Sequence, residues 1–100
     1  MVKVRIEILP GLSENFGGKG FETVSFFKEV NEGSTIIDII NILSIENQTF
    51  NNFIIDNKTN KIKPGIFMIL NDQLLDLSKE PSIKVKNGDI IKLFPLLDGG

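Results

Sequence analysis

The stretch Leu93-Phe94-Pro95-Leu96-Leu97-Asp98-Gly99-Gly100 places strand-type residues directly before two glycines. Glycine buries no side chain, orders poorly and weakens a strand. Two of them after an apolar strand read as a segment that is thin, flexible and threaded into something. Other chemistries fail on residue type. The chain has no Cys and no His. That removes a cysteine nucleophile, a disulfide scaffold, a zinc site of the usual ligand set and a histidine proton shuttle. Asn15-Phe16-Gly17-Gly18-Lys19-Gly20-Phe21 suggests a phosphate loop, but the pattern needs Gly at position 13 and Ser or Thr at position 20, where this chain has Ser13 and Gly20. The acids around Asp72 and Asp76 lack the central Gly and the oxygen spacing of a calcium loop.

The elements that must position the terminus come next. Val2, Val4, Ile6 and Ile8 alternate with Lys3, Arg5 and Glu7, which predicts a half-buried strand. Pro10-Gly11 ends it, residues 11–20 form a loop, and residues 21–30 return as a hairpin partner. A helix is expected from about Ile36. Ser34 or Thr35 caps it, Asp38 suits the dipole of the first turn, and Ile36, Ile40 and Leu43 make an apolar stripe flanked by Ile37 and Ile39. Residues 46–65 are expected to hold one short helical turn that docks Phe50 and Phe53. Pro64-Gly65 leads into Ile66-Phe67-Met68-Ile69-Leu70-Asn71, a nearly continuous apolar run that reads as a strand buried on both faces or close to it. A short extended segment at residues 73–77 and a loop from Lys79 to Gly88 follow.

The last strand, from Asp89, has a parity set by Lys92. If Lys92 faces water, Ile90 and Phe94 share its face, while Ile91 and Leu93 face the core. A solvent-side Phe94 beside Ile90 has two readings. Either a helix, a loop or a bulge accounts for it, or the two residues belong to a partner-docking patch with Lys92.

One helix across a mixed sheet of four to five strands is α+β, in the β-grasp arrangement. One hundred residues suit one such domain, residues 1–95, followed by a flexible tail, residues 96–100. Thirteen acidic against eleven basic residues give a net charge of -2, which offers no electrostatic reason for direct binding to nucleic acid or a membrane. The first ten residues carry no apolar signal region, and the longest apolar run is too short to span a bilayer. The chain is expected to be soluble and cytoplasmic.

The stretches Glu32–Ile40, Pro64–Asp72 and Asn87–Gly100 resemble the ubiquitin-like sulfur carriers and modifiers. These comprise the ubiquitin-related modifier, the small archaeal modifier proteins and the small subunit of molybdopterin synthase. The Pro-Gly-strand stretch tilts the resemblance toward the ubiquitin-related group. It implies that the Gly100 carboxylate is adenylated by a ubiquitin-activating-type adenylyltransferase. The acyl adenylate then becomes a thiocarboxylate, for tRNA thiolation or for conjugation to lysines of target proteins. Gly100 has no Cβ to obstruct its carbonyl. Gly99, Asp98, Leu97 and Leu96 would thread a narrow channel, with the two leucines as apolar anchors outside it. No bound cofactor is implied, and ATP is consumed by the activating enzyme. The protein is thus expected to be a cosubstrate and not an enzyme, with a sulfurtransferase or a molybdopterin synthase large subunit as further partners. The alternatives are sulfur donation in molybdenum cofactor synthesis and a β-grasp binding module that is never conjugated.

Overall fold

Alternation in the first residues becomes a strand with two unlike faces. In the computed structural model, which describes residues 1–77, 79 and 82–96, β1 (Val2–Ile8) buries Val4, Ile6 and Ile8 completely. Each such side chain contributes about 1.5–3 kcal/mol when removed from water. Lys3 and Arg5 stay exposed on the opposite face. β2 (Val24–Val30) pairs antiparallel with β1, from Val2 opposite Val30 to Ile8 opposite Val24. This register settles the parity of the adjacent phenylalanines. Phe26, opposite Ile6, packs against the core, and Phe27, opposite Arg5, is exposed.

The loop between them is more ordered than its Gly-rich composition suggests. It contains a 3-10 turn at Ser13–Phe16. Leu12 is buried, and the buried Ser13 hydroxyl donates to the Glu22 carbonyl at 2.6 Å.

Helix α1 (Ile36–Glu46) starts with a reciprocal cap. Thr35 Oγ1 accepts from the Asp38 amide at 3.2 Å, and Asp38 Oδ2 accepts from the Thr35 amide at 2.9 Å. Two otherwise orphaned donors are thereby satisfied. The buried stripe is Ile36, Ile39, Ile40 and Leu43, so Ile39 belongs to its centre and not to its flank. A segment ahead of the last strand fastens the helix start: Ile36 N–H donates to the Ile83 carbonyl, and Val85 N–H to the Ser34 carbonyl, both at 2.9 Å.

Residues 46–65 hold more structure than the single turn expected. Asn47 caps a second helix, α2 (Gln48–Ile54), by accepting from the Phe50 amide at 3.0 Å. A small antiparallel pair follows, β3 (Ile55–Asp56) with β4 (Lys61–Ile62). Phe50 is buried, but Phe53 is 43% exposed, so only one of the two aromatics docks. The helical period explains this: Phe50 and Ile54 lie four apart on one face, and Phe53 turns away from it.

β5 (Ile66–Leu70), β6 (Gln73–Leu74) and β7 (Ile90–Pro95) complete a five-stranded sheet in the order β2-β1-β7-β5-β6. β7 runs parallel to β1 and antiparallel to β5. The extended segment expected at residues 73–77 is strand at Gln73–Leu74, and Leu75 N–H continues the pairing by donating to the Met68 carbonyl at 2.9 Å. Both helices contribute to one core with Val2, Val4, Ile6, Ile8, Val30, Met68, Ile91 and Leu93. The sheet therefore has one face under the helices and one without them. This is the α+β, β-grasp arrangement, with α1 as its main helix.

Candidate docking face and the exit of the last strand

β7 occupies the middle of the sheet and is bonded on both sides. Arg5 to Ile8 flank it on one side, and Ile66 to Leu70 on the other. Its burial alternates as the position of Lys92 requires. Ile91 and Leu93 are each 1% exposed, while Ile90, Lys92 and Phe94 are half-buried on the face away from the helices. The ladder continues to Pro95 without a break in register, so no bulge resets it.

Phe67 lies directly opposite Phe94 on β5, with ring centroids 5.6 Å apart and planes tilted by 30°. Ile69 stands opposite Lys92 and, on its other side, opposite Leu74 of β6. Leu74 is 59% exposed. Phe67, Phe94, Ile69, Ile90 and Leu74 thus form one apolar area with Lys92 among them. On the β1 side Arg5 Nε pairs with Glu7 Oε2 at 2.9 Å, and Glu7 is the register neighbour of Lys92.

This placement refines the reading of residues 66–70 as a strand buried on both faces or close to it, for none of the five is exposed but the two faces differ in what covers them. Of the five residues only Met68 is fully buried. A continuous apolar run is compatible with two covered faces, but also with one covered face and one apolar face left open. Periodicity does not separate these cases. Sequence reasoning therefore missed Phe67, Ile69 and Leu74 as members of the outer face. The signal that could have found them was the pairing of this run with the Lys92 strand.

Turns hold the start and end of β7. Asn71 (φ 52°) donates through Nδ2 to Asp89 Oδ1 and accepts at Oδ1 from the Ile90 amide, both at 2.9 Å. Its own amide donates to the Ile90 carbonyl at 2.8 Å. At the other end Pro95 faces Ile66, and the Leu96 amide donates to the Gly65 carbonyl. Leu96 is 60% exposed. The strand ends at Pro95, as a residue without an amide donor predicts. Of the residues assigned to threading, Leu96 is the last one described; Leu97, Asp98, Gly99 and Gly100 lie outside the described residues. Among the described residues no group of three or more acids could hold a metal ion, and no helix is long and apolar enough to cross a membrane.

The profile of the family described as Urm1 (Ubiquitin related modifier) matches residues 3–100. Ubiquitin-related modifier 1 of Saccharomyces cerevisiae (strain YJM789) is 32% identical over 102 residues, covering 100% of both chains. Its counterpart in Candida glabrata is 31% identical over 100 residues, again covering 100% of both. Among solved structures, small archaeal modifier protein 1 of Haloferax volcanii superposes with a TM-score of 0.76 at 15% identity, over 97% of this chain and 100% of that one. At that identity the superposition speaks for the fold alone, and it agrees with the β-grasp topology described above.

Proposed function

Because the chain belongs to the ubiquitin-related modifier family, whose members are ubiquitin-like sulfur carriers and protein modifiers, we propose that it works through an activated carboxyl group at Gly100. Proteins of this kind are carried and transferred and are not enzymes themselves. The molybdopterin synthase alternative is not favoured, because the matching family and the relatives above are ubiquitin-related modifiers.

The proposed sequence has two steps. A carboxylate oxygen of Gly100 attacks the α-phosphorus of ATP on an adenylyltransferase of the ubiquitin-activating type, and pyrophosphate leaves. The terminal sulfur of a sulfurtransferase persulfide then attacks the acyl carbon of the adenylate, AMP leaves, and a thiol cleaves the resulting acyl disulfide, releasing the thiocarboxylate and forming a disulfide with the sulfurtransferase sulfur. The product is a thiocarboxylate, a sulfur donor for tRNA thiolation. If a lysine amine of a target protein attacks the activated acyl carbon instead, an isopeptide bond forms and the leaving group departs. A free carboxylate is a poor acylating agent, so adenylation supplies the leaving group that either outcome needs.

The observation that carries this reading is the position of β7. Its uncovered face presents Ile90, Lys92 and Phe94, extended sideways by Phe67, Ile69 and Leu74, and the strand then delivers Leu96 out of the sheet toward Gly99-Gly100. An apolar centre with a polar rim is the composition of a docking surface. We assign that face to the adenylyltransferase, with Leu96 to Gly100 entering its nucleotide site. ATP–pyrophosphate exchange with the host's adenylyltransferase tests the first step. Exchange dependent on this protein is expected, and its absence overturns the reading. Intact mass of protein taken from its own host tests the second step, through the exchange of one oxygen for sulfur or through an isopeptide adduct.

A further inference from the structure

Gly11 sits where the turn after β1 meets the end of β7. Its φ is +99°, a region that L side chains rarely adopt. A Cβ built on it would lie 2.5 Å from Pro95 Cγ and 3.3 Å from Pro95 Cδ. The turn around it is fixed. Leu9 N–H donates to the Leu93 carbonyl at 2.9 Å as the last rung between β1 and β7, Ser13 N–H returns to the Leu9 carbonyl at 3.0 Å, and Gly11 N–H donates to Glu14 Oε1 at 2.7 Å. The Pro95 ring is therefore confined between two chain segments: Gly11 on the β1 side, and Ile66 with the Gly65 carbonyl that holds Leu96 on the β5 side. The other described glycines with φ of +62° to +90° have open space where a Cβ would go, so among the positive-φ glycines the close contact is particular to Gly11; Gly18, whose φ is not in that region, would place a Cβ 2.9 Å from the Ser13 carbonyl oxygen at the other end of the loop.

We propose that Gly11 is a positioning residue: by leaving room for the Pro95 ring where a Cβ would stand, it sets the direction in which the chain leaves the sheet at Leu96. This rests on the reading that residues 96–100 enter a nucleotide site. Docking is assigned to the outer face of the sheet, so a misdirected exit leaves binding intact and lowers only the fraction of complexes whose carboxylate reaches ATP. Misplacements on the scale of an ångström cost reaction rate heavily. A simple loss of stability behaves differently. It removes folded protein, raises the apparent KM and leaves kcat unchanged.

The test compares four variants of the full chain with the wild type: Gly11→Ala, Pro95→Ala, the double variant, and Gly17→Ala as a control. Gly17 has φ +89° and nothing within 4 Å of where a Cβ would stand, so the control carries the backbone strain without the clash. Two experiments are read: pyrophosphate exchange, for kcat and KM of this protein, and amide hydrogen exchange at Leu96. Gly11→Ala is expected to lower kcat by about tenfold with KM within about twofold, and to speed exchange at Leu96 by about tenfold or more. Pro95→Ala removes the atoms that the new methyl would strike, so the double variant should match Pro95→Ala alone in both readouts. Gly17→Ala should match the wild type in both. Unchanged protection of Leu96 in Gly11→Ala overturns the proposal, as does a double variant that falls below Pro95→Ala in either readout, or a loss that Gly17→Ala shares. If the wild-type protein supports no pyrophosphate exchange, the proposed function falls, and the Leu96 comparison still decides whether Gly11 sets the exit.

Discussion

Phe94 and Phe67 face each other across neighbouring strands on the side of the sheet that carries no helix, with ring centroids 5.6 Å apart. The two rings shield one another only in part. Replacing Phe94 with Ala removes this contact and half-exposed ring area, but it opens no cavity in the core beneath the helices. Stability should fall by about 1 kcal/mol, the size of an aromatic pair with modest burial. Affinity for the adenylyltransferase should fall by about tenfold or more, as for an aromatic anchor near an interface centre. Thermal melts and calorimetric titration measure the two effects. A collapse of stability with unchanged affinity per folded molecule would place Phe94 among the core residues.

Leu93 gives the opposite pattern. It precedes Phe94 by one position, pairs with Met68 and is 1% exposed. Leu93→Ala should cost about 2–5 kcal/mol, the range for buried leucines. Affinity per folded molecule should change little, because the outer face keeps its residues. Urea unfolding beside the same titration checks this. Equal loss of affinity in the two variants would mean that the two faces of β7 do not act separately.

How far these faces are legible in the sequence depends on contrast between neighbours. β1 is legible because Lys3, Arg5 and Glu7 interrupt its aliphatic residues. β7 is legible because a single lysine, Lys92, fixes the parity of the residues around it. No such marker exists in residues 66–70, so the uncovered side of β5 looks in sequence like a second buried one. The capping pair Thr35 and Asp38 is visible because its chemistry is local. The central position of Ile39 is not, because a stripe of isoleucines and a leucine does not say which of its edges meets the sheet. The contact between Gly11 and Pro95 joins residues far apart in the chain, and only the parallel pairing of β1 with β7 brings them together.

The Thr35 cap offers a test of the helix start. Thr35→Ala removes the acceptor for the Asp38 amide and should lower stability by about 1 kcal/mol. Asp38→Ala removes the return bond to the Thr35 amide. Since the two bonds form one reciprocal unit, the double variant should lose less than the sum of the single losses. Full additivity in chemical unfolding would show that the box does not act as a unit.

Asn71 combines a left-handed backbone with two side-chain bonds that start β7. Asn71→Gly keeps access to φ 52° and loses the bonds to Asp89 and to the Ile90 amide. Asn71→Ala loses the same bonds and adds backbone strain. Glycine should cost about 1–2 kcal/mol, roughly one for each exposed bond lost. Alanine should cost about 1 kcal/mol more. Equal melting temperatures for the two variants would mean that φ at this position carries no cost.

Removing Gly99 and Gly100 separates the fold from the activation chemistry. The described sheet ends at Pro95, and Leu96 beyond it is 60% exposed. Glycine has no side chain to bury, so the deletion should change stability by no more than about 0.5 kcal/mol, the range of ordinary surface changes. Activation should fall to background. The new terminus would be Asp98, whose side chain brings bulk and a negative charge into a channel proposed to admit glycine. Its carboxylate would also stand two residues short of the α-phosphorus. Phe94 and its neighbours remain in the truncated chain, so it should still bind the adenylyltransferase and compete with the full-length protein for it. Pyrophosphate exchange, a competition assay and a thermal melt together decide the matter. Undiminished exchange by the truncated protein would remove Gly100 as the activated residue, and a large drop in melting temperature would mean that the terminal glycines contribute to the fold.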